Sequence, residues 1–136
     1  MKIQVIPTKV LPAFWHHLAP LLQRAFNLSE RRYNLQDLYA DALAGDYLIW
    51  AIIDENSKEF VAALTTRKAV YARGKALAIE FLGGERMDEW LDDLMDELKK
   101  HARHNGCDWL ECFGRKGWAK KGWKPAYVAY EMELEK

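Results

Sequence analysis

Apolar residues recur along the chain with two different periods, and the switches between them mark out the elements. "KIQVI" (2–6) has strand character and is stopped by Pro7. Leu11, Phe14, Trp15, Leu18, Leu21, Leu22, Ala25 and Phe26 then fall at three-and-four spacing, which predicts an amphipathic helix. Pro12 suits its first turn; Pro20 lies inside it and predicts a kink or a split into two short helices. "LSERRY" (28–33) is a polar connection, and "NLQDLYADALAG" predicts a second helix capped by Asn34 with Asp37, ended by Gly45. "YLIWAII" (47–53) is apolar on both faces and predicts a central strand. After a polar turn, "FVAALTTRKAVY" (60–71) returns, turns again at 72–75, and leads into "ALAIEFL" (76–82). Alternation there puts Leu77, Ile79 and Phe81 on one face, with Ala76, Ala78, Glu80 and Leu82 on the other. Beyond Gly83-Gly84, Met87, Trp90, Leu91, Leu94, Met95, Leu98 and Ala102 trace one side of a long helix that Gly106 stops. A strand at 107–113, a short irregular or helical piece at 114–125 and a last strand at 126–134 complete the chain. The order β-α-α-β-β-β-α-β-α-β predicts a single α/β domain over 1–136, with a mixed, mostly antiparallel sheet and helices on both faces.

Composition narrows the function. The chain has 136 residues, one domain's worth, and 50% hydrophobic positions, enough for a substantial core. Twenty basic residues balance twenty acidic ones, so no global charge draws the protein to nucleic acid or to an anionic membrane. "MKIQVIP" lacks the apolar stretch of a secretory signal, and no run approaches the ~20 apolar residues of a membrane helix. Cys107 and Cys112, on opposite faces of one expected strand, read as free thiols of a reducing cytoplasm. Glu97, His101 and His104 at helical spacing, with Cys107 close behind, are the nearest approach to a metal-ligand pattern; no metal is expected.

The element order resembles that of the GNAT superfamily of N-acetyltransferases. The sequence support lies in the helix pair after the first strand, in "EFLGGERMDEWLDDLMDELKKHARHNGCDWLECF", and in the closing "KKGWKPAYVAYEMEL". Gly122-Trp123 stands where the family has a glycine–aromatic pair. More narrowly, the "DEWL" helix and the "GW" tail look like those of small phage-encoded GNAT-like proteins. The resemblance implies a cleft between the fourth and fifth strands for acetyl-CoA. Main-chain groups at Phe81 and Leu82 would hold the pantetheine and polarise the thioester carbonyl. Backbone amides of Gly83, Gly84, Glu85, Arg86 and Met87 would hold the pyrophosphate. Glycines let an anion approach the unpaired N–H groups of a helix start, and Arg86 adds a full charge.

The sequence departs from the family in three ways. "LGGER" is shorter than the usual Gln/Arg-x-x-Gly-x-Gly/Ala loop, and residues 85 to 97 hold seven acids against one base. Trp118 stands where a general-acid tyrosine is common. The segment 114–124, with Arg115, Lys116, Lys120, Lys121 and Lys124 between Trp118 and Trp123, is a candidate source of the missing positive charge.

Acetyl transfer to an amine needs the neutral amine, hence a base. Glu80, late on the fourth strand among apolar neighbours that make a carboxylate more basic, is the candidate; Glu111 is second. Two readings stand. One is an acyltransferase moving acetyl from acetyl-CoA to a small-molecule or protein amine. The other is a binding or structural protein, phage-encoded in the narrower likeness, that kept the fold, lost the cofactor and serves a protein partner. Nucleic-acid binding through 114–124 is a distant third.

Overall fold

The computed structural model describes residues 1–26, 32–112, 122–126 and 130–134. Strand β1 (Lys2–Ile6) leads through a 3-10 turn (Thr8–Val10) into helix α1 (Leu11–Gln23). α1 runs through Pro20 as one helix of 13 residues rather than splitting, because Leu18, Leu21 and Leu22, on both sides of the proline, are pinned in the core. Helix α2 (Leu35–Leu43) opens on a capping box: the Asn34 side chain accepts from the Asp37 amide, and the Asp37 carboxylate accepts from the Asn34 amide. Gly45, with φ 88°, ends it. Strands β2 (Leu48–Ile53), β3 (Phe60–Tyr71) and β4 (Gly74–Gly84) follow, then helix α3 (Met87–His104) and strand β5 (Trp109–Cys112).

The five strands lie in sequence order. Pairing is antiparallel from β1 to β4, while β5, reached through α3, runs parallel to β4. Apolar residues fill both faces of the sheet. Trp50, Ile52, Leu64, Leu77 and Ile79 meet Trp90, Leu91, Leu94 and Leu98 of α3 on one side. Ile49, Ala51 and Ala63 meet Leu18, Leu21, Leu22, Leu38 and Ala42 of α1 and α2 on the other. Two buried threonines work as hydrogen-bond partners inside the sheet: Thr66 Oγ1 accepts from Trp50 Nε1 at 2.9 Å, and Thr65 Oγ1 from the Phe81 amide at 3.3 Å.

β4 departs from simple alternation. Leu82 pairs with Leu64 and Ile79 with Thr66, so Glu80 and Phe81 together face the single residue Thr65. This β-bulge adds one residue to β4 and shifts the alternation beyond it. Leu77, Ile79 and Leu82 pack on the α3 side, whereas Phe81 joins the α1/α2 side. The expected grouping of Phe81 with Leu77 and Ile79, and of Leu82 with Glu80, is therefore corrected by the bulge. Gly83-Gly84 likewise are the last residues of the strand, not a loop.

Two stretches of the sequence reading fall outside what is described. Phe113, Arg115, Lys116, Trp118, Lys120, Lys121 and Tyr127 lie outside the described residues, and with them most of the piece at 114–125 and part of the strand expected at 126–134. Residues 126 and 130–134 carry no strand assignment, and Trp123 packs against the α3-side core.

Candidate active site

The bulge brings three polar side chains together on the α1/α2 side of the sheet. Glu80 is largely buried, its side chain 13% exposed. Its Oε1 accepts from Arg67 Nε at 2.5 Å, and its Oε2 accepts from the Tyr47 hydroxyl at 2.7 Å. Arg67 stands on β3 opposite Ala78, and Tyr47 immediately precedes β2. The neighbours of the carboxylate are thus a guanidinium and a phenol rather than the apolar residues the alternation had suggested. Burial first, then the adjoining Glu80 carboxylate, pushes the Tyr47 phenol well above its usual value, so it stays a proton donor. Arg67 is raised by its bonds to Glu80 despite the opposing effect of its own burial.

Aromatic rings line the same place. Phe81 stacks on Phe26 with ring centroids 4.6 Å apart and on Tyr33 at 5.7 Å, and Tyr47 lies tilted to it at 6.3 Å. The Tyr33 hydroxyl is anchored on Asp41 of α2. Among the described residues, β4 beyond Ile79 pairs only with β3, since β4–β5 pairing runs from Ala76–Trp109 to Ile79–Cys112.

At the corner after the strand, both glycines are explained by close packing. A Cβ on Gly83 would come 2.0 Å from the Leu21 carbonyl oxygen of α1, and one on Gly84 would come 2.4 Å from Ala62 Cβ. The Glu85 amide continues the ladder onto the Val61 carbonyl (3.0 Å), and the Glu85 carbonyl accepts from Trp90 Nε1 (2.8 Å). The Glu85 carboxylate faces Arg24 of α1 at 3.1 Å. Arg86 does not stand alone as a free charge: it donates to Asp54 (2.8 Å) and, through two nitrogens, to Glu89. That guanidinium holds the Asp54 and Glu89 carboxyls below their ordinary values.

Arg86 also has a left-handed backbone, φ 60° and ψ 38°, and no side chain caps the helix that starts at the exposed Met87. A left-handed residue next to right-handed ones turns successive N–H groups toward a common point, the geometry of an anion-binding concavity. This feature, and the Tyr47–Glu80–Arg67 trio, escaped the sequence reading.

The remaining candidates lie elsewhere. Glu111 accepts from the Tyr71 hydroxyl at 2.9 Å, and Trp109 stacks on Tyr71 (5.9 Å) beside Gly74, at the opposite end of β4 from the bulge. Glu97, His101 and His104 line a shallow groove with Trp50, Ile3 and Val5. Among the described residues no helix is long and apolar enough to cross a membrane.

No protein-family model and no curated protein matches the sequence. Solved structures do match in fold. A probable acetyltransferase superposes with a TM-score of 0.72 at 11% identity, covering 100% of this chain and 99% of its own. An aminoglycoside acetyltransferase from an uncultured soil metagenomic sample, in complex with sisomicin, gives 0.67 at 16% identity, covering 98% and 96%. A GNAT family acetyltransferase of Staphylococcus aureus gives 0.61 at 12% identity, covering 99% and 96%. Overlap of nearly the whole chain at such low identity speaks to architecture: the protein has the mixed α/β fold of the GNAT acetyltransferases.

Proposed function

We propose that the protein is an N-acetyltransferase that moves acetyl from acetyl-CoA to an amine. The observation that carries this reading is the uncapped start of α3 behind a left-handed Arg86, directly after the bulge that seats Glu80. The Glu85 amide is engaged on the Val61 carbonyl and the Phe81 amide on Thr65 Oγ1, so of the amides of residues 83–87 those of Arg86 and Met87 would hold the pyrophosphate, and the remaining main-chain groups at Phe81 and Leu82 the pantetheine. The surroundings fit an anion better than the acid count suggests, because Glu85 and Glu89 each face an arginine, which leaves Asp88 as the first-turn acid without one among the described residues.

When bound, acetyl-CoA supplies an acetyl group activated as a thioester, so a nitrogen–carbon bond forms as the carbon–sulfur bond breaks and coenzyme A leaves as its thiol. Glu80 takes one proton from the acceptor's ammonium and so frees the attacking lone pair; the second amine proton goes to the departing sulfur. An ionised carboxylate offers about four lone-pair positions, and Arg67 and Tyr47 use one each, so Glu80 keeps room for that proton.

Calorimetric titration with acetyl-CoA tests the reading: saturable heat is expected, and none at millimolar ligand overturns it. Given binding, Glu80→Gln should keep the affinity and lower kcat about 100-fold or more. One set of observations favours the second reading, a binding protein on the same fold without the cofactor: the Arg86 charge is already engaged by Asp54 and Glu89, and both glycines are filled by their own neighbours. The same titration separates the two. The narrower likeness to phage-encoded proteins belongs to this proposal and rests on the "DEWL" and "GW" segments.

A further inference from the structure

The Tyr47–Glu80–Arg67 trio says more about the acceptor than that it is an amine, an inference that rests on the acetyl-transfer reading. Glu80 carries one negative charge, Arg67 one positive, and the Tyr47 phenol none, so the trio is neutral but strongly polarised. A plain cationic amine approaching Glu80 would meet the Arg67 guanidinium 2.5 Å from the carboxylate, and like charges so close repel. A molecule with both signs meets no such conflict. Arg67 is engaged on Glu80 through Nε, and its side chain is 36% exposed against 13% for Glu80. The planar fork of arginine has further N–H donors on its terminal nitrogens, matched in shape to a carboxylate or phosphate. Beside Tyr47, the stacked rings of Phe81, Phe26 and Tyr33 offer an apolar wall.

We propose that the acceptor is a zwitterionic amine, whose ammonium is received by Glu80 and whose acidic group, carboxylate or phosphate, is read by Arg67. Arg67 is then the residue that sets acceptor specificity.

The test measures acetyl-CoA-dependent thiol release with L-phenylalanine, O-phosphoethanolamine and phenethylamine, which lacks an acidic group. An advantage of at least 100-fold in kcat/KM for one of the two acidic amines over phenethylamine is expected, and which of them wins identifies the acidic group. Arg67→Gln should shrink that ratio at least tenfold, mostly through KM, and Arg67→Lys, which keeps the charge without the fork, should fall between. Circular dichroism confirms that each variant is folded; should the glutamine variant unfold, the lysine variant carries the comparison. Phenethylamine used as well as the acidic amines, an unchanged ratio in the variants, or coenzyme A binding with no turnover of either acidic amine would each overturn the proposal and leave acetyl transfer standing. Absence of coenzyme A binding by calorimetry would instead remove the acetyl-transfer reading, and this inference with it.

Discussion

At the scale of single residues, the glycine pair shows how one residue type answers to two demands. A strand–glycine–helix junction suggests space left for a ligand, yet the structure fills the space at Gly83 with the backbone of α1. A methyl group there would press on the Leu21 carbonyl at 2.0 Å, an atom that no rotamer change can move aside. Gly83→Ala should therefore destabilise the protein by about 3 kcal/mol, the upper part of the range for overpacking, as measured by urea denaturation. The identity of this position was plain in the sequence, but its reason was not, because the contact lies 62 positions away along the chain, between residues 83 and 21. Glu80 is similar. Its place near the strand end was readable from the pattern, whereas its partners Tyr47 and Arg67 come from two other strands' surroundings and share no spacing with it.

At the scale of elements, the patterns that were read correctly are local ones. The capping box of α2, the run of β3 from Phe60 to Tyr71 and the stop of α3 near Gly106 all follow from neighbours within a few residues. Of the kink or split expected at Pro20, the split does not occur, because burial of Leu18, Leu21 and Leu22 outweighs the local rule. The start of α3 adds a pH dependence. Arg86 lowers the Asp54 and Glu89 carboxyls from ordinary values of 3.8 and 4.5, so the folded state binds these protons less readily than the unfolded chain. Their contribution is complete above those ordinary values and is lost as pH falls through the lowered ones. Urea midpoints followed from about pH 6 to pH 2 should fall at the acid end, and Arg86→Gln should flatten that part of the curve. A curve of the same steepness in the variant would assign the acid loss to other groups.

At the scale of the whole molecule, one sheet separates two apolar layers, and β2 and β3 contribute to both. Such sharing makes the layers melt together. Leu94→Ala on the α3 side and Leu22→Ala on the α1 side remove fully buried side chains, and each should cost about 2–5 kcal/mol. In both variants the transitions followed by far-ultraviolet dichroism and by tryptophan fluorescence should coincide; separate midpoints would mean that the layers unfold independently. The architecture was readable because alternating and helical apolar periods persist over whole elements. What escaped was the single extra step in β4, because Leu77, Ile79 and Phe81 keep a regular spacing of two straight through it. That step has a lasting consequence. The seat of the carboxylate is fixed by how many residues the strand holds, not by which ones. Exchanging one side chain for another leaves the seat in place, while deleting a single codon at 80 or 81 would leave one residue opposite Thr65, restore plain alternation with Leu82 still opposite Leu64, and remove the seat itself. Distant homologues aligned without allowing for that extra position would match Glu80 with the wrong partner.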